Sequence, residues 1–333
     1  MVVAPAPDMD RRGTCKRLLP LIACGIAATS CMNDAKSWVD DVFTSAPEPR
    51  PVEQLVEPDV DIPSRDLFYG VGGKKLAPRT DVAYRFLEKD TSGMSDNFEV
   101  EDPSGRRFDA KFGRETKSEV AASRLLWAIG FYQPPVYHMR EGWKIEGGPE
   151  AGPQPEARFR YDDPAWKGDG MWSWRENPFE GTRELKGLIV MNVLINNWDV
   201  KASNNKTYLR EGQTPRRIYV VKDLGQSFGQ TVQTFLGSQS NPDDYAKEPF
   251  IRKVDGDEVE FAFGPILLNP GVGEGIHVDD VLWTCRRLAQ LSDDQLRDAF
   301  RAAGYSDAEV TAFVTQLQRK IQEGLALEQR ASS

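Results

Sequence analysis

Aspartate, asparagine and lysine side chains recur at close spacing in the second half of the chain. Asp199, Lys201 and Asn204 lie in one polar segment, and Asp223 begins a later Asp-Leu-Gly sequence. Carboxylate and side-chain amide oxygens are ligands that Mg²⁺ accepts. Phosphoryl transfer asks a protein mainly to hold Mg²⁺ against phosphate oxygens and to position a hydroxyl group. These residue types therefore predict a site for phosphoryl transfer.

Each of these residues has a predicted role in that chemistry. Asn204 and Asp223 are the predicted metal ligands. Asp199 is predicted to orient or deprotonate the attacking hydroxyl, and Lys201 to offset charge on the transferred group. Turn formation is the alternative explanation for either segment taken alone, because Asp and Asn side chains favour loops. The occurrence of both segments downstream of a lysine and glutamate pair favours the metal-binding interpretation.

That pair is Lys111 and Glu119. Alternation along residues 107–112 puts Phe108 and Ala110 on one face of a strand and Lys111 on the other. Glu119 stands at the head of the apolar stripe of the helix that follows. It either fixes the Lys111 ammonium towards a phosphate or closes a Thr-x-x-Glu capping box at the start of the helix. The local sequence leaves both alternatives open.

Histidine and cysteine are scarce in this chain. Its 333 residues include two histidines and four cysteines, and neither the histidines nor Cys285 have the paired spacing of a structural zinc site. No Gly-x-Ser-x-Gly turn accompanies His138 or His277, which argues against a histidine-based catalytic triad. The chemistry must therefore rest on carboxylates, amides and lysines.

Strand and helix signals surround the candidate residues in two groups. Residues 82–87, 97–101 and 107–112 alternate apolar and polar side chains and predict an antiparallel meander, followed by a helix from Thr116 to Gly130. The second group comprises a buried helix, a hairpin and a helical tail, over residues 182–196, 206–221 and 278–325. We therefore expect the α+β class.

In this order, the pieces resemble the protein-kinase-like superfamily, and within it the atypical branches: the HipA-type kinases, the phosphatidylinositol 3/4-kinases and the secretory-pathway kinases. The matching residues are Lys111, Glu119, the Asp199-x-Lys201-x-x-Asn204 loop, and Asp223-Leu224-Gly225 in place of Asp-Phe-Gly. The resemblance implies a two-lobed fold, with a small antiparallel-sheet N-lobe plus one helix and a mainly helical C-lobe.

The resemblance also implies the ligands ATP and Mg²⁺. Lys111 and Glu119 would belong to the nucleotide-binding site, and a short turn containing Ser92, Gly93 and Ser95 would cover the phosphates of the nucleotide. The sequence departs from the family pattern, since it has no Gly-x-Gly-x-x-Gly loop and Trp198 stands where typical kinases carry Arg. These departures leave the acceptor unidentified.

Residues 1–31 predict an export signal. Basic residues precede an apolar run from Leu18 to Ala28, which is too short to span a bilayer. The sequence Ala28-Thr29-Ser30-Cys31 resembles a bacterial lipobox, in which Cys31 is lipidated. Leu21-Ile22-Ala23-Cys24 is the alternative box, which fits the pattern better but has too little apolar sequence before it. We expect an exported lipoprotein anchored in the membrane, in the periplasm or at the cell surface. Simple secretion and a retained cytoplasmic N-terminus are the alternatives.

Composition divides the rest of the chain into four parts. Residues 32–65 are rich in proline and acidic groups and predict an extended tether. Residues 66–140 form the predicted N-lobe, and residues 171–330 the predicted C-lobe. The Gly/Pro-rich residues 141–170 between them predict a surface insertion.

Charge and motifs together define the expected function. The net charge of −9 argues against nucleic acid as a partner. We expect an atypical ATP-dependent kinase, whose partners are a nucleotide and an unidentified hydroxyl acceptor on a protein, lipid or small molecule. One alternative is a catalytically inactive kinase-fold binding module, because ATP is scarce outside the cytoplasm. The other is a structural envelope lipoprotein, in which the Asp and Asn loops are only turns.

Overall fold

The computed structural model describes residues 50–90, 97–212, 214–230, 237–262 and 271–331. The predicted export signal with Cys31, and the predicted phosphate turn with Ser92, Gly93 and Ser95, lie outside these ranges. Within them, none of the helices has both the length and the apolar character that crossing a membrane requires.

Strands and helices are interspersed along the described chain. The strands are β1 (Val52–Gln54), β2 (Ala83–Asp90), β3 (Asn97–Glu101), β4 (Arg107–Lys111), β5 (Val136–Met139), β6 (Lys144–Glu146), β7 (Gly152–Pro153), β8 (Ala157–Tyr161), β9 (Lys167–Gly170), β10 (Asn205–Arg210), β11 (Arg216–Val221), β12 (Ile251–Asp255) and β13 (Glu258–Phe261). The helices are α1 (Gly73–Leu76), α2 (Thr116–Ala128), α3 (Arg183–Leu194), α4 (Pro242–Lys247), α5 (Val278–Leu288), α6 (Asp293–Arg301), α7 (Asp307–Leu325) and α8 (Leu327–Ala331).

The first part of the chain builds a sheet of seven strands in the order β5-β8-β4-β3-β2-β6-β7. Strand β4 pairs antiparallel with β3 on one side and β8 on the other. One face of the sheet carries an apolar cluster that includes Tyr84, Phe108, Trp143 and Phe159. Because side chains alternate along a strand, Lys111 belongs to the other face of β4.

The structure differs from the expected insertion over residues 141–170. This range contains strands β6 to β9, and β8 lies between β4 and β5 in the sheet. Residues 157–160 of β8 are buried on both faces. The strand is buried because Phe159 packs in the apolar cluster, whereas the arginines beside it meet carboxylates on the opposite face.

The described end of the expected tether is packed rather than extended into solvent. Strand β1 pairs in parallel with β11 in a sheet of four strands, in the order β1-β11-β10-β9. Leu55 and Ile62 are buried in the main hydrophobic core. The segment that leads into the fold is therefore fixed beside β11, the strand that ends just before Asp223.

The second part of the chain is mainly helical. Helix α3 begins after Thr182, whose side chain accepts a hydrogen bond from the Leu185 backbone N–H, and its second half is buried on all sides. It packs against α5, which in turn packs against α7. Capping boxes at Ser292 and Ser306 begin helices α6 and α7. The α+β class is confirmed, with a sheet-rich first part and a helical second part.

Candidate active site

Lys111 lies where β4, α2 and the segment after β11 meet. Its Nζ atom is 3.4 Å from Glu119 Oε2 and 3.2 Å from Asp223 Oδ1, and it also forms an ion pair with Glu115. Lys111 and Asp223 are 112 positions apart in the sequence. Local turn formation does not explain their contact, so the fold itself brings the predicted nucleotide and metal residues together.

The surrounding carboxylates fix the charge of Lys111. Burial acts to lower the pKa of its ammonium group, but Glu119, Asp223 and Glu115 outweigh that effect and raise the pKa above its ordinary value. Lys111 is therefore a permanent cation at neutral pH. Such a cation stabilises negative charge on a phosphate.

Glu119 pairs with cations and does not cap helix α2. The N-cap residue is Glu115, and its side chain makes no capping hydrogen bond. Glu119 Oε1 lies 2.9 Å from Arg158 Nε and 2.6 Å from Arg160 Nη2. Burial acts to raise the pKa of Glu119, but Arg158, Lys111 and Arg160 outweigh it and hold that pKa far below its usual range. Glu119 is thus a buried, fixed anion.

Sequence reasoning missed three charged residues of this network: Asp109, Arg158 and Arg160. Asp109 Oδ2 lies 3.2 Å from Arg158 Nη1 and 3.1 Å from Arg160 Nη1. Burial opposes the ionised form of Asp109, but the two arginines outweigh burial and lower its pKa. The alternation Ala-Arg-Phe-Arg-Tyr over residues 157–161 was the available signal, because a period of two indicates a strand.

The loop that carries Asp199 is held by the end of helix α3. Asn197 Nδ2 donates to Asn192 Oδ1 at 2.7 Å, and the Asp199 backbone N–H donates to Asn197 Oδ1 at 3.2 Å. Asp199 Oδ2 accepts hydrogen bonds from Lys201 Nζ at 2.7 Å and from Asn204 Nδ2 at 3.0 Å. The three predicted residues of this loop therefore contact one another.

Asn204 and Asp223 have the donor atoms that a Mg²⁺ ion needs. The Asp223 backbone N–H lies 3.4 Å from the Asn204 carbonyl oxygen, which makes the two residues neighbours. The side-chain nitrogen of Asn204, Nδ2, donates to Asp199, so the side-chain oxygen of Asn204, Oδ1, remains as an acceptor. Over the described ranges, no group of three or more His, Cys, Asp or Glu residues suits a metal. The two side chains fit Mg²⁺, which is commonly held by one or two protein oxygens plus phosphates and water.

Helix α2 also contacts the Asp-Leu-Gly segment directly. Ser118 Oγ donates to the Gly225 carbonyl oxygen at 2.5 Å, and Gln226 Nε2 donates to the Glu115 carboxylate. A Cβ atom at position 225 would lie 2.6 Å from Glu115 Cβ, so only glycine fits there without a shift. Together with the Lys111–Asp223 pair, these contacts fix the segment after β11 against α2.

No protein-family profile and no curated protein matches this chain. The solved structures that are similar to it include two kinases. The Helicobacter pylori proinflammatory kinase CtkA is 11% identical over 75% of this chain and 99% of that chain, with a TM-score of 0.47. The Golgi casein kinase is 11% identical over 76% of this chain and 75% of that chain, with a TM-score of 0.37.

Proposed function

We propose that this protein is an atypical kinase that transfers a phosphoryl group from ATP, with Mg²⁺, to a hydroxyl group of an acceptor. The observation that carries the proposal is the contact of Lys111 with both Glu119 and Asp223. This contact brings Lys111, a cation that can bind phosphate, next to Asp223, a carboxylate that can bind Mg²⁺, although the two residues are 112 positions apart in the sequence. Phosphoryl transfer depends on this combination of positioning and charge stabilisation.

Each predicted residue has a role in this reaction. Lys111 binds phosphate oxygens, and Glu119 holds Lys111 in place. Asp223 and Asn204 would hold Mg²⁺, which supplies positive charge to the phosphates when bound. Asp199 orients or deprotonates the acceptor hydroxyl, and Lys201, with 44% of its side chain exposed, offsets charge on the transferred group.

A nucleotide-binding module without turnover is the second candidate. The contacts of Asp199 favour it, because Asp199 Oδ2 already accepts from Lys201 and Asn204. Only the other carboxylate oxygen is left for an acceptor hydroxyl. Both candidates require nucleotide binding, and only the kinase requires Asp199 for turnover.

Calorimetric titration of the full chain with ATP tests the proposal. We expect ATP to bind more tightly when Mg²⁺ is present, and Asp223→Asn to weaken the Mg²⁺-dependent binding about tenfold or more, because the amide lacks the charge of the carboxylate. Asp257→Asn is the control, since Asp257 has 81% of its side chain exposed and lies on the turn between β12 and β13. Absence of ATP binding by the wild-type chain in Mg²⁺ would refute the kinase and the binding module together.

We also propose that the protein is exported and anchored in the membrane through a lipid on Cys31. The support is the order of basic residues, apolar run and lipobox-like Ala28-Thr29-Ser30-Cys31 in the sequence. Mass spectrometry of the native N-terminus is expected to give a chain that begins at a lipid-modified Cys31. An unmodified Met1 would support a cytoplasmic protein instead.

A further inference from the structure

Helix α7 carries a lysine that is completely buried. Lys320 has 0% of its surface exposed, although lysine is almost never fully buried unless it is paired. Its Nζ atom donates to Asn196 Oδ1 at 2.6 Å and to the Leu194 carbonyl oxygen at 3.4 Å. Lys320 and Asn196 are 124 positions apart in the sequence, so the fold brings this ammonium group to the end of helix α3.

The end of helix α3 sets the direction of the loop that carries Asp199. Asn196 has a left-handed backbone with a φ of 55°, which asparagine tolerates better than most residues. Its backbone N–H donates to the Val193 carbonyl oxygen at 3.0 Å, and the Asn197 N–H donates to the Asn192 carbonyl oxygen at 2.8 Å. This pair of hydrogen bonds is a Schellman motif. Asn196 is therefore the residue at which the chain leaves α3 for the loop.

The side chain of Asn196 is buried and held from two sides. Its Nδ2 atom donates to the Gly229 carbonyl oxygen at 2.7 Å, and its Oδ1 atom accepts from Lys320. The side chain of Asn197, the next residue, accepts a hydrogen bond from the Asp199 backbone N–H. Lys320 therefore links helix α7 to the chain just before Asp199.

The ammonium group of Lys320 lies among groups that favour a positive charge. Within the part of the chain that the structure describes, it forms no ion pair with a carboxylate. It lies instead 4.4 Å from the centre of the Tyr245 ring and beside the Leu194 carbonyl oxygen, at the C-terminal end of α3. An aromatic face and the carbonyl end of a helix both attract cations. The Tyr245 hydroxyl donates to the same Leu194 oxygen at 2.9 Å, so helix α4 also takes part in this contact.

The charge of Lys320 depends on pH. Burial lowers its pKa to about 7. Glu248, which follows α4, and Glu323 on α7 act to raise that pKa, whereas Arg319 on α7 acts to lower it. Tyr245, which also faces the ammonium group, is neutral, because burial raises the pKa of its hydroxyl well above the usual value. Lys320 is therefore mostly charged below about pH 7 and mostly neutral above it.

We propose that Lys320 is a positioning residue for phosphoryl transfer: its ammonium group holds Asn196, and through Asn196 it holds Asp199 at the acceptor hydroxyl. The inference rests on the proposed kinase function. A hydrogen bond from a charged donor is about twice as strong as one between neutral groups, so the ammonium restrains Asn196 more than a neutral side chain would. This restraint matters because a displacement of about 1 Å can slow an enzymatic reaction about 100-fold.

Replacing Lys320 by methionine tests this role. Methionine has a similar length but no donor, so the rate of phosphoryl transfer should fall about 10- to 100-fold. Transfer of labelled γ-phosphate from ATP to the chain itself or to water measures that rate. The affinity for ATP should stay unchanged, because Lys111 is held by Glu119 and Asp223 instead.

Hydrogen exchange measures the effect on the loop directly. The backbone amides of residues 196–204 should exchange about tenfold faster in Lys320→Met, the factor that corresponds to loss of about one hydrogen bond. Gln316→Met is the control for the rate and for the exchange. Gln316 is a buried donor on the same helix, but it donates to the Glu248 carbonyl oxygen and not to the loop. Its replacement should change neither quantity.

Two further measurements separate positioning from a general loss of stability. The ratio of the wild-type rate to the Lys320→Met rate should decrease from about pH 6 to about pH 8, because Lys320 loses its charge over this range. Asn196→Gly removes the acceptor of Lys320, and glycine adopts the left-handed backbone readily. Asn196→Gly alone should slow transfer as Lys320→Met does, and adding Lys320→Met to it should have no further effect. Asn196→Gly therefore decides the test if Lys320→Met fails to fold.

Three results overturn the inference. The first is a Lys320→Met chain with the wild-type rate and wild-type exchange of residues 196–204. The second is an equal effect of Lys320→Met and Gln316→Met on both quantities, and the third is an Asn196→Gly chain with the wild-type rate. A wild-type chain that transfers no phosphate would refute the kinase alone. Hydrogen exchange would then still decide the role of Lys320 in holding the loop, because faster exchange in Lys320→Met supports it and unchanged exchange overturns it.

Discussion

Replacing Asp199 by asparagine is expected to lower the rate of phosphoryl transfer by about 10²- to 10⁴-fold, the range for loss of a general acid or base. Asparagine has nearly the same shape and can still accept from Lys201 and Asn204, so the loop should keep its conformation. ATP affinity should change little, because Asp199 is assigned to the hydroxyl and not to the nucleotide. Transfer of labelled γ-phosphate to the chain itself or to water measures the rate without a known acceptor.

The control for this prediction is Lys201→Ala. Lys201 Nζ donates to Asp199 Oδ2, but 44% of the Lys201 side chain is exposed, so its loss should reduce the rate much less than loss of Asp199. Equal rates for the wild-type chain and Asp199→Asn would contradict the role given to Asp199. A wild-type chain that binds ATP but transfers no phosphate would favour the binding module.

Replacing Glu119 by glutamine is expected to destabilise the fold by about 3–5 kcal/mol, as is typical when one partner of a buried ion network is removed. Glu119 is 1% exposed and lies within ion-pair distance of Lys111, Arg158 and Arg160. A neutral amide leaves these three cations with less negative charge nearby. Urea unfolding at pH 7 measures the difference in the free energy of unfolding.

The effect of Glu119 should depend on pH in a defined direction. Its pKa in the folded chain lies far below the ordinary value of 4.5, so between these values the unfolded chain binds the additional proton. The stabilisation is therefore full above about pH 4.5 and is lost progressively as the pH falls. The gap between the wild-type chain and Glu119→Gln should narrow in the same range.

A carboxylate on strand β3, Glu101, provides the comparison. Glu101 pairs with the exposed Arg85 and Arg107, so Glu101→Gln should leave the free energy of unfolding nearly unchanged. If Glu101→Gln and Glu119→Gln destabilise the chain equally, the buried network does not stabilise the fold in the way described.

Residues next to a strong local signal could be predicted from the sequence. Lys111 could be placed because its strand alternates apolar and polar residues, and the observed bounds, Arg107–Lys111, nearly match the predicted ones. Glu119 could be placed because the start of helix α2 was recognisable in the sequence. Asn204 and Asp223 could be predicted because each lies in a polar segment next to a recognisable element, a buried helix or a hairpin. What local signals could not decide was whether Glu119 caps its helix or pairs with Lys111, because the arginines that also hold Glu119 come later in the chain.

Residues whose environment is set by distant partners could not be predicted. Arg158 and Arg160 alternate with apolar residues as an exposed face would, after a Gly/Pro-rich stretch. Their burial depends on Asp109 and Glu119, about 40 to 50 positions earlier. The same holds for Val52–Gln54, because the proline-rich composition around it carries no information about pairing with β11.

The contacts between helix α2 and the segment after β11 have a thermodynamic consequence. Lys111–Asp223, Ser118–Gly225 and Glu115–Gln226 tie the position of this helix to that of the predicted metal ligand. Helix α2 also packs against α6 in the helical part. Linkage between two binding sites is reciprocal. If a second protein displaces α2 when it binds and thereby changes the affinity for the nucleotide by some factor, the nucleotide changes the affinity for that protein by the same factor. A change in nucleotide affinity, measured by titration, would therefore reveal the binding of a protein that contacts α2 and not the nucleotide.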